Sequence, residues 1–315
     1  MDNIYAVVVT YNRKDILTKC IDAILAQTHP VSKLVIIDNN STDGTEEYLK
    51  KEGYIGSEPV KDNTDKVLYK KLPQNIGGAG GFHEGMKAAR EEDADWIWIM
   101  DDDVIPEKNC LEELVAARGR INEDVSFLAS SIRGTNGEAM NVPKITRKQF
   151  MHYTDWYKYL DSGIVQIVKA TFVSLLINGK AVKKCGLPWK EFFIWGDDSE
   201  YTQRIIRDYG PAYMVGKSKA LHLRASANEL SLVKETDKKR IPLYFYYYRN
   251  NLIVFHEYET PLYRFLCMGK LWYDSLRVLF KGKYKAKKLG VITKAFFNYV
   301  TGRYGRESFR NRAED

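Results

Sequence analysis

Three consecutive carboxylates, Asp101-Asp102-Asp103, end an apolar run of strand length, Trp96-Ile97-Trp98-Ile99-Met100, and Pro106 keeps the strand from continuing. Such a run reads as a buried strand of a parallel sheet, and open α/β sheets place their ligands at the carboxyl ends of these strands. Carboxylates this close repel one another and require a cation or hydrogen-bond donors at neutral pH. The first and third can reach one hard cation together with the oxygens of a bound diphosphate. The alternative is a solvated acidic turn capping the helix expected over residues 107–118. A second pair, Asp197-Asp198, opens a helix whose Tyr201, Ile205 and Tyr209 share a face and which Gly210-Pro211 stops. Asp197 and Glu200 have capping-box spacing, which predicts Asp197 as the N-cap. Asp198 is not required for capping, and a neighbouring carboxylate raises its proton affinity, which suits a general base. His222 follows a strand-like run over residues 212–221. Its imidazole is either a core or surface group or a further ligand for a borderline ion such as Mn²⁺.

The elements that must carry these groups alternate. Residues 4–9 are a continuous apolar, β-branched run fit for a central strand, and a helix is expected over residues 14–27. Residues 31–37 form the next strand, followed by a helix carrying Glu46, Glu47 and Leu49 that Ser41 or Thr42 can cap. A third strand over residues 66–71 makes the parallel sheet of an α/β fold the leading expectation. Residues 10–13 and 38–43 then emerge side by side at its carboxyl edge. Asp38 can accept an imide or ribose hydrogen bond and Arg13 can pair with a phosphate, unless both loops are merely turns and caps. The glycines of Gly77-Gly78-Ala79-Gly80-Gly81 precede a helix expected over residues 83–91, where backbone N–H groups can approach an anion. That run lacks the lysine and hydroxyl of a P-loop and follows the third strand, which argues against a dinucleotide fingerprint. Further on, residues 125–132 read as a strand and residues 165–176 as one or two more. Residues 136–161 give no assignable pattern.

In this order, Val7-Val8-Val9-Thr10-Tyr11-Asn12-Arg13, Ile37-Asp38-Asn39-Asn40-Ser41-Thr42-Asp43-Gly44-Thr45, the glycine run and Asp101-Asp102-Asp103 resemble the family 2 glycosyltransferases with a GT-A nucleotide-sugar fold. The resemblance implies a mostly parallel central sheet. It also implies a donor nucleotide held by Thr10, Tyr11, Asn12, Arg13, Asp38 and Asn40, with Gly80, Gly81, Asp101 and Asp102 around its diphosphate. A divalent cation, Mn²⁺ or Mg²⁺, would sit on Asp101 and Asp103. The glycine run, Phe193-Ile194-Trp195-Gly196-Asp197-Asp198-Ser199-Glu200-Tyr201 and His222 are similar to the galactofuranosyltransferase branch. There a Trp-Asp-Asp element supplies the base and a later histidine joins the metal site. Here Gly196 separates the tryptophan from the aspartates, which leaves open whether the expected base Asp198 or its alternative Asp197 takes that role, and the resemblance makes His222 the third ligand. Trp195 and Trp189 are expected in the acceptor path, with core packing as their other reading.

The chain of 315 residues is long enough for a large core and an appendage, and 44% hydrophobic residues argue against disorder. Cys20, Cys110, Cys185 and Cys267 have no metal or redox spacing and fit a reducing compartment. A strand pattern directly after Met1 leaves no room for a signal peptide, and no stretch is apolar enough to span a bilayer. The expected location is therefore cytoplasmic, peripheral on the inner face of the cell membrane. The net charge of +7 is uneven, because residues from Arg240 onward carry 15 Lys+Arg against 6 Asp+Glu, or +9, leaving −2 for the rest. We read residues 1–225 as the catalytic domain, 226–239 as a linker and 240–315 as a helical, basic segment. In the helix expected over residues 262–281, Lys270, Asp274, Arg277 and Lys281 share one stripe and aromatic and aliphatic residues the opposite one, ahead of the lysine cluster at 281–288. That arrangement fits an anionic membrane surface, or else packing on the catalytic domain or a second subunit in a homo-oligomer. Nucleic acid is not expected, since no reading motif accompanies the charge. The function expected is inverting transfer from a nucleotide sugar, best UDP-galactofuranose, to a lipid-linked glycan. A rhamnosyltransferase using a dTDP-sugar and a non-catalytic nucleotide-sugar-binding scaffold are the alternatives.

Overall fold

A computed structural model describes residues 2–56, 66–146, 149–150, 153–224 and 230–302; residues 226–229 of the expected linker and the tail beyond 302 lie outside them. Strand β1 (Ile4–Thr10) leads through α1 (Lys14–Leu25), β2 (Lys33–Asp38), α2 (Thr45–Lys51), β3 (Val67–Lys71) and α3 (Gly77–Glu91) to β4 (Trp96–Asp101). Next come β5 (Val104–Pro106), α4 (Cys110–Arg118), β6 (Phe127–Arg133), β7 (Ala139–Met140), β8 (Lys144–Ile145), β9 (Gln149–Phe150) and β10 (Tyr153–Thr154). The sequence continues with β11 (Ile164–Lys169), β12 (Leu175–Asn178), α5 (Gly179–Cys185), α6 (Asp197–Asp208) and β13 (Ala212–His222). Helices α7 (Tyr244–Tyr258), α8 (Pro261–Lys281) and α9 (Lys285–Val300) follow.

The main sheet has the order β3-β2-β1-β4-β12-β6-β13-β11-β8. Its first four strands are parallel, β12 enters antiparallel between β4 and β6, and β13 runs parallel to β6. Because side chains alternate along a strand, Ala6 and Val8 join the cluster of Leu17, Ile21 and Leu114 on one face, while Val7 and Val9 join that of Met86 and Ile205 on the other. Helices cover both faces, which is why β1 reads as an unbroken apolar run. The carboxyl ends of β1, β2 and β4 open on one edge, where Thr10 is the register partner of Asp38 and Val9 that of Asp101.

The glycine run has a packing role. Helix α3 begins at Gly77 itself, so Gly80 and Gly81 lie inside its first turns and are buried. A Cβ on Gly81 would stand 2.3 Å from Val9 Cγ1, one on Gly80 2.5 Å from Ile76 Cγ1, and one on Gly85 2.3 Å from Val7 Cγ1. Gly81 and Gly85 let the helix seat directly on β1, and Gly80 makes room for the Ile76 side chain at the helix's own N-cap.

Helices α7–α9 build a separate apolar cluster around Tyr248, Leu252, Leu271 and Ile292. Helix α7 also bonds into the segment ahead of α6 through Arg249 to the Glu191 carbonyl, and to α6 itself through Tyr258 to Glu200. Two expectations for this region change. Asp274 leaves the polar stripe and turns inward, accepting from Tyr248 Oη at 2.9 Å and Lys270 Nζ at 3.1 Å. Lys288 leaves the surface cluster, buried with its Nζ on the Val233 carbonyl at 3.0 Å.

Candidate active site

The acidic triplet sits where β4 stops. Asp102 points back into the protein, accepting from Thr10 Oγ1 at 2.7 Å and Arg13 Nη1 at 3.1 Å. Arg13 Nη1 also reaches Asp103 Oδ2 at 2.8 Å, so one half-exposed guanidinium bridges two of the three carboxylates. Burial, then the charges of Asp103, Asp102 and Asp197, holds Asp101 well above the usual carboxylate range. Burial lifts Asp102 to about 6 against the pull of Arg13. Burial would raise Asp103 as well, but the contact with His222 and the charges of His222 and Arg13 outweigh it and leave Asp103 low.

His222 arrives by a backbone route. Strand β5, directly after the triplet, pairs antiparallel with the end of β13, setting Val104 opposite His222. The Leu223 amide donates to the Asp103 carbonyl at 2.8 Å. One ligand atom each from Asp101, Asp103 and His222 then lies within 4.8 Å of the others. His222 Nδ1 meets Asn141 Oδ1 at 2.9 Å, and Asn141 Nδ2 donates to Thr171 Oγ1 at 3.1 Å. An amide oxygen only accepts, so Nδ1 carries the proton and Nε2 faces the aspartates. Nε2 stands 3.1 Å from Asp103 Oδ1, a buried oxygen that no hydrogen bond of good geometry satisfies. With a proton on Nε2 the two groups form the ion pair that lowers Asp103; without it their lone pairs can hold a metal ion, and two carboxylates with an imidazole fit a divalent cation. Asn141, which orients the His222 ring, is a residue that sequence reasoning missed; only its turn-prone type, matched by a φ of 48°, hinted at it.

The second acidic pair starts α6, but Asp197 is not the N-cap. That position belongs to Gly196 at φ 92°, and Asp197 is the first helical residue. Burial, followed by the charge of Asp198, holds Asp197 above its ordinary range. Burial raises Asp198 too, opposed by the Ser199 amide at 2.6 Å and by Lys169. The charge of Asp197 is among those that raise Asp101, so the two acidic groups lie close enough to repel one another. The turn that aims the pair is unusual: Phe193, Trp195 and Gly196 all have positive φ. It is held by Asn250 of α7, whose Nδ2 donates to the carbonyls of Phe192 at 2.9 Å, Ile194 at 3.1 Å and Trp195 at 2.7 Å. Arg249 in turn donates to Asn250 Oδ1. Gly77 admits the same turn to the start of α3, because a Cβ there would lie 2.0 Å from the Phe193 carbonyl oxygen. Asn250 lies 55 residues from Trp195, and no sequence signal pointed to it.

The residues expected around the nucleotide line the same edge. Tyr11 is 45% exposed at its rim, while Asn12 and Asn40 both adopt positive φ, with Asn12 Oδ1 accepting from the Thr42 amide at 2.7 Å. Asp38 is fully buried, accepting from Tyr69 Oη at 2.5 Å and the Ser41 amide at 2.6 Å. Thr10 is also buried and supports Asp102. The half-buried indole of Trp189 packs on Phe192 and Arg204, and that of Trp195 on Tyr244 and Tyr247.

The family model described as glycosyl transferase family 2 matches residues 5–176. Galactofuranosyltransferase GlfT1 of Mycobacterium tuberculosis is 29% identical over 211 residues, covering 65% of this chain and 65% of that relative. The chain thus spans about 65% of that relative's length. Among solved structures, GalNAc-T7 with UDP, GalNAc and Mn²⁺ superposes with a TM-score of 0.60 at 14% identity, over 97% of this chain and 58% of that one. S. aureus TarS 1-349 in complex with UDP gives 0.56 at 13%, over 98% and 75%. Those likenesses show the GT-A fold, and with more than half of its length matched the chain belongs to glycosyl transferase family 2.

Proposed function

We propose that the protein is an inverting, metal-dependent glycosyltransferase that moves a sugar from UDP-galactofuranose to a hydroxyl of a lipid-linked cell-surface glycan. The observation that carries this reading is the convergence of one ligand atom each from Asp101, Asp103 and His222 on one point at the carboxyl end of β4. The named galactofuranosyltransferase relative supports the donor sugar, and the UDP and Mn²⁺ held by the similar structures support a uridine nucleotide and a divalent ion.

Asp198 takes the proton as the acceptor O–H bond breaks, the acceptor oxygen attacks the anomeric carbon, and the bond to the diphosphate breaks on the opposite side. Asp197 keeps its own proton, because ionising both carboxylates in so buried a place is unfavourable. A Mn²⁺ or Mg²⁺ ion held by Asp101, Asp103 and His222 would supply positive charge for the leaving diphosphate. Arg13 neutralises Asp102 and Asp103 and stands ready to pair with a phosphate. Tyr11, Asn12 and Asn40 frame the base and ribose, with Asp38 behind them. The test is a donor-hydrolysis screen across nucleotide sugars with Mn²⁺. UDP-galactofuranose should be hydrolysed fastest, and a preference for a dTDP-sugar would overturn the donor assignment.

A further inference from the structure

We infer that the outward face of α8, together with a basic surface built from two separate chain segments, docks the protein on an anionic lipid bilayer. Helix α8 packs on α7 and α9 through Cys267, Leu271, Asp274 and Val278. Apart from Met268, which packs against the same cluster, its remaining apolar residues point away from the protein, with Phe265 74%, Trp272 73% and Phe280 79% exposed and Leu262, Tyr273 and Leu276 more than half exposed. At about 100° per residue this arc lies beside Lys270, Arg277 and Lys281, so cations border the exposed apolar surface.

The basic surface continues past the end of α8. Lys283 and Lys285 are exposed, Lys287 Nζ donates to the Lys238 carbonyl at 2.9 Å, and Lys238 Nζ lies 4.9 Å from the Tyr284 ring centroid. These contacts join Lys234, Lys238, Lys239 and Arg240 to the cluster after α8. The acids there are engaged: Glu235 accepts from two backbone amides and faces Arg240, and Asp237 accepts from the Lys239 amide. Over residues 261–302 nine Lys and Arg oppose one acid, the buried Asp274. Among the described residues no helix is long and apolar enough to cross a membrane. An aromatic face rimmed by cations instead matches a helix lying in the headgroup region of an anionic bilayer. The use of such docking, reaching a lipid-linked acceptor, rests on the proposed function; the docking itself does not.

The test is co-sedimentation of the full chain, without donor or acceptor, with phosphatidylcholine vesicles and with phosphatidylcholine–phosphatidylglycerol vesicles, at low and high salt. Binding is expected only to the anionic vesicles, and partly resistant to salt. Lys283→Gln with Lys285→Gln should weaken it roughly thirtyfold at low salt. Trp272→Ser with Phe280→Ser should remove the salt-resistant part, and because both side chains are exposed its melting temperature should not fall. Absence of binding to anionic vesicles, or binding that Trp272→Ser with Phe280→Ser leaves intact, would overturn the inference. So would a solution dimer dissociated by that pair, which would assign the face to a second copy. Each outcome is independent of the donor screen.

Discussion

Replacing Asn250 by leucine keeps the volume of the side chain and removes its hydrogen bonds. Three carbonyls, those of Phe192, Ile194 and Trp195, share the two N–H groups of this buried amide. At about 1 kcal/mol per net bond, and with the Arg249 donors losing their acceptor, the loss is roughly 2–4 kcal/mol. The turn cannot hold its shape without that contribution, because Phe193 at φ 62° and Trp195 at φ 61° occupy a region that costs non-glycine residues about 1 kcal/mol or more each. Relaxation of the turn moves the start of α6 and with it Asp197 and Asp198. A displacement of about 1 Å costs on the order of 10²-fold in turnover. The assay measures kcat well below the melting temperature, UDP affinity by calorimetry, and Tm. Turnover should fall about 10²-fold with UDP affinity unchanged, and Tm should drop by several degrees. A lowered Tm with kcat within about twofold of the parent would refute the reasoning, because the turn would then keep its catalytic shape without Asn250.

Asn141→Leu should weaken Mn²⁺ binding in the presence of UDP by roughly 10–100-fold through loss of His222 orientation, while His222→Ala and Asp103→Asn weaken it further; calorimetric titration measures all three. Asp198→Asn should retain UDP affinity and lower turnover by roughly 10²–10⁴-fold. Asp197 binds its proton more tightly in the folded protein than in the unfolded chain, so stability falls as pH rises from the ordinary carboxylate range through its raised folded value. Asp197→Asn should remove that slope, with a gain in Tm that grows as pH rises from about 5 to about 8 in a thermal-melt series. Gly81→Ala should destabilise by about 1–3 kcal/mol in urea unfolding, and Val9→Ala in the same chain should recover part of the loss, since Val9 Cγ1 fills the space a Cβ needs.

The parallel half of the sheet and the carboxyl edge that carries Thr10, Asp38 and Asp101 are legible in the sequence, because a strand covered by helices on both faces must be apolar throughout and stops where polar residues begin. The pairing of His222 with the triplet is suggested by resemblance, and the β5–β13 ladder supplies its physical cause. The glycine run is ambiguous in the sequence, because a flexible loop and a helix pressed onto a strand use the same residue for opposite reasons. Only the 2.3 Å approach of Val9 to the missing Cβ of Gly81 tells them apart. Periodicity reveals two sides to α8 but not which one is covered, since that depends on where α7 and α9 lie. Asn141 and Asn250 act across 81 and 55 residues of chain on His222 and Trp195. Local sequence determines which segments become strands and helices through side-chain pattern and backbone preference. Which polar side chain meets which distant backbone is decided only when the packed tertiary structure brings them within hydrogen-bond reach.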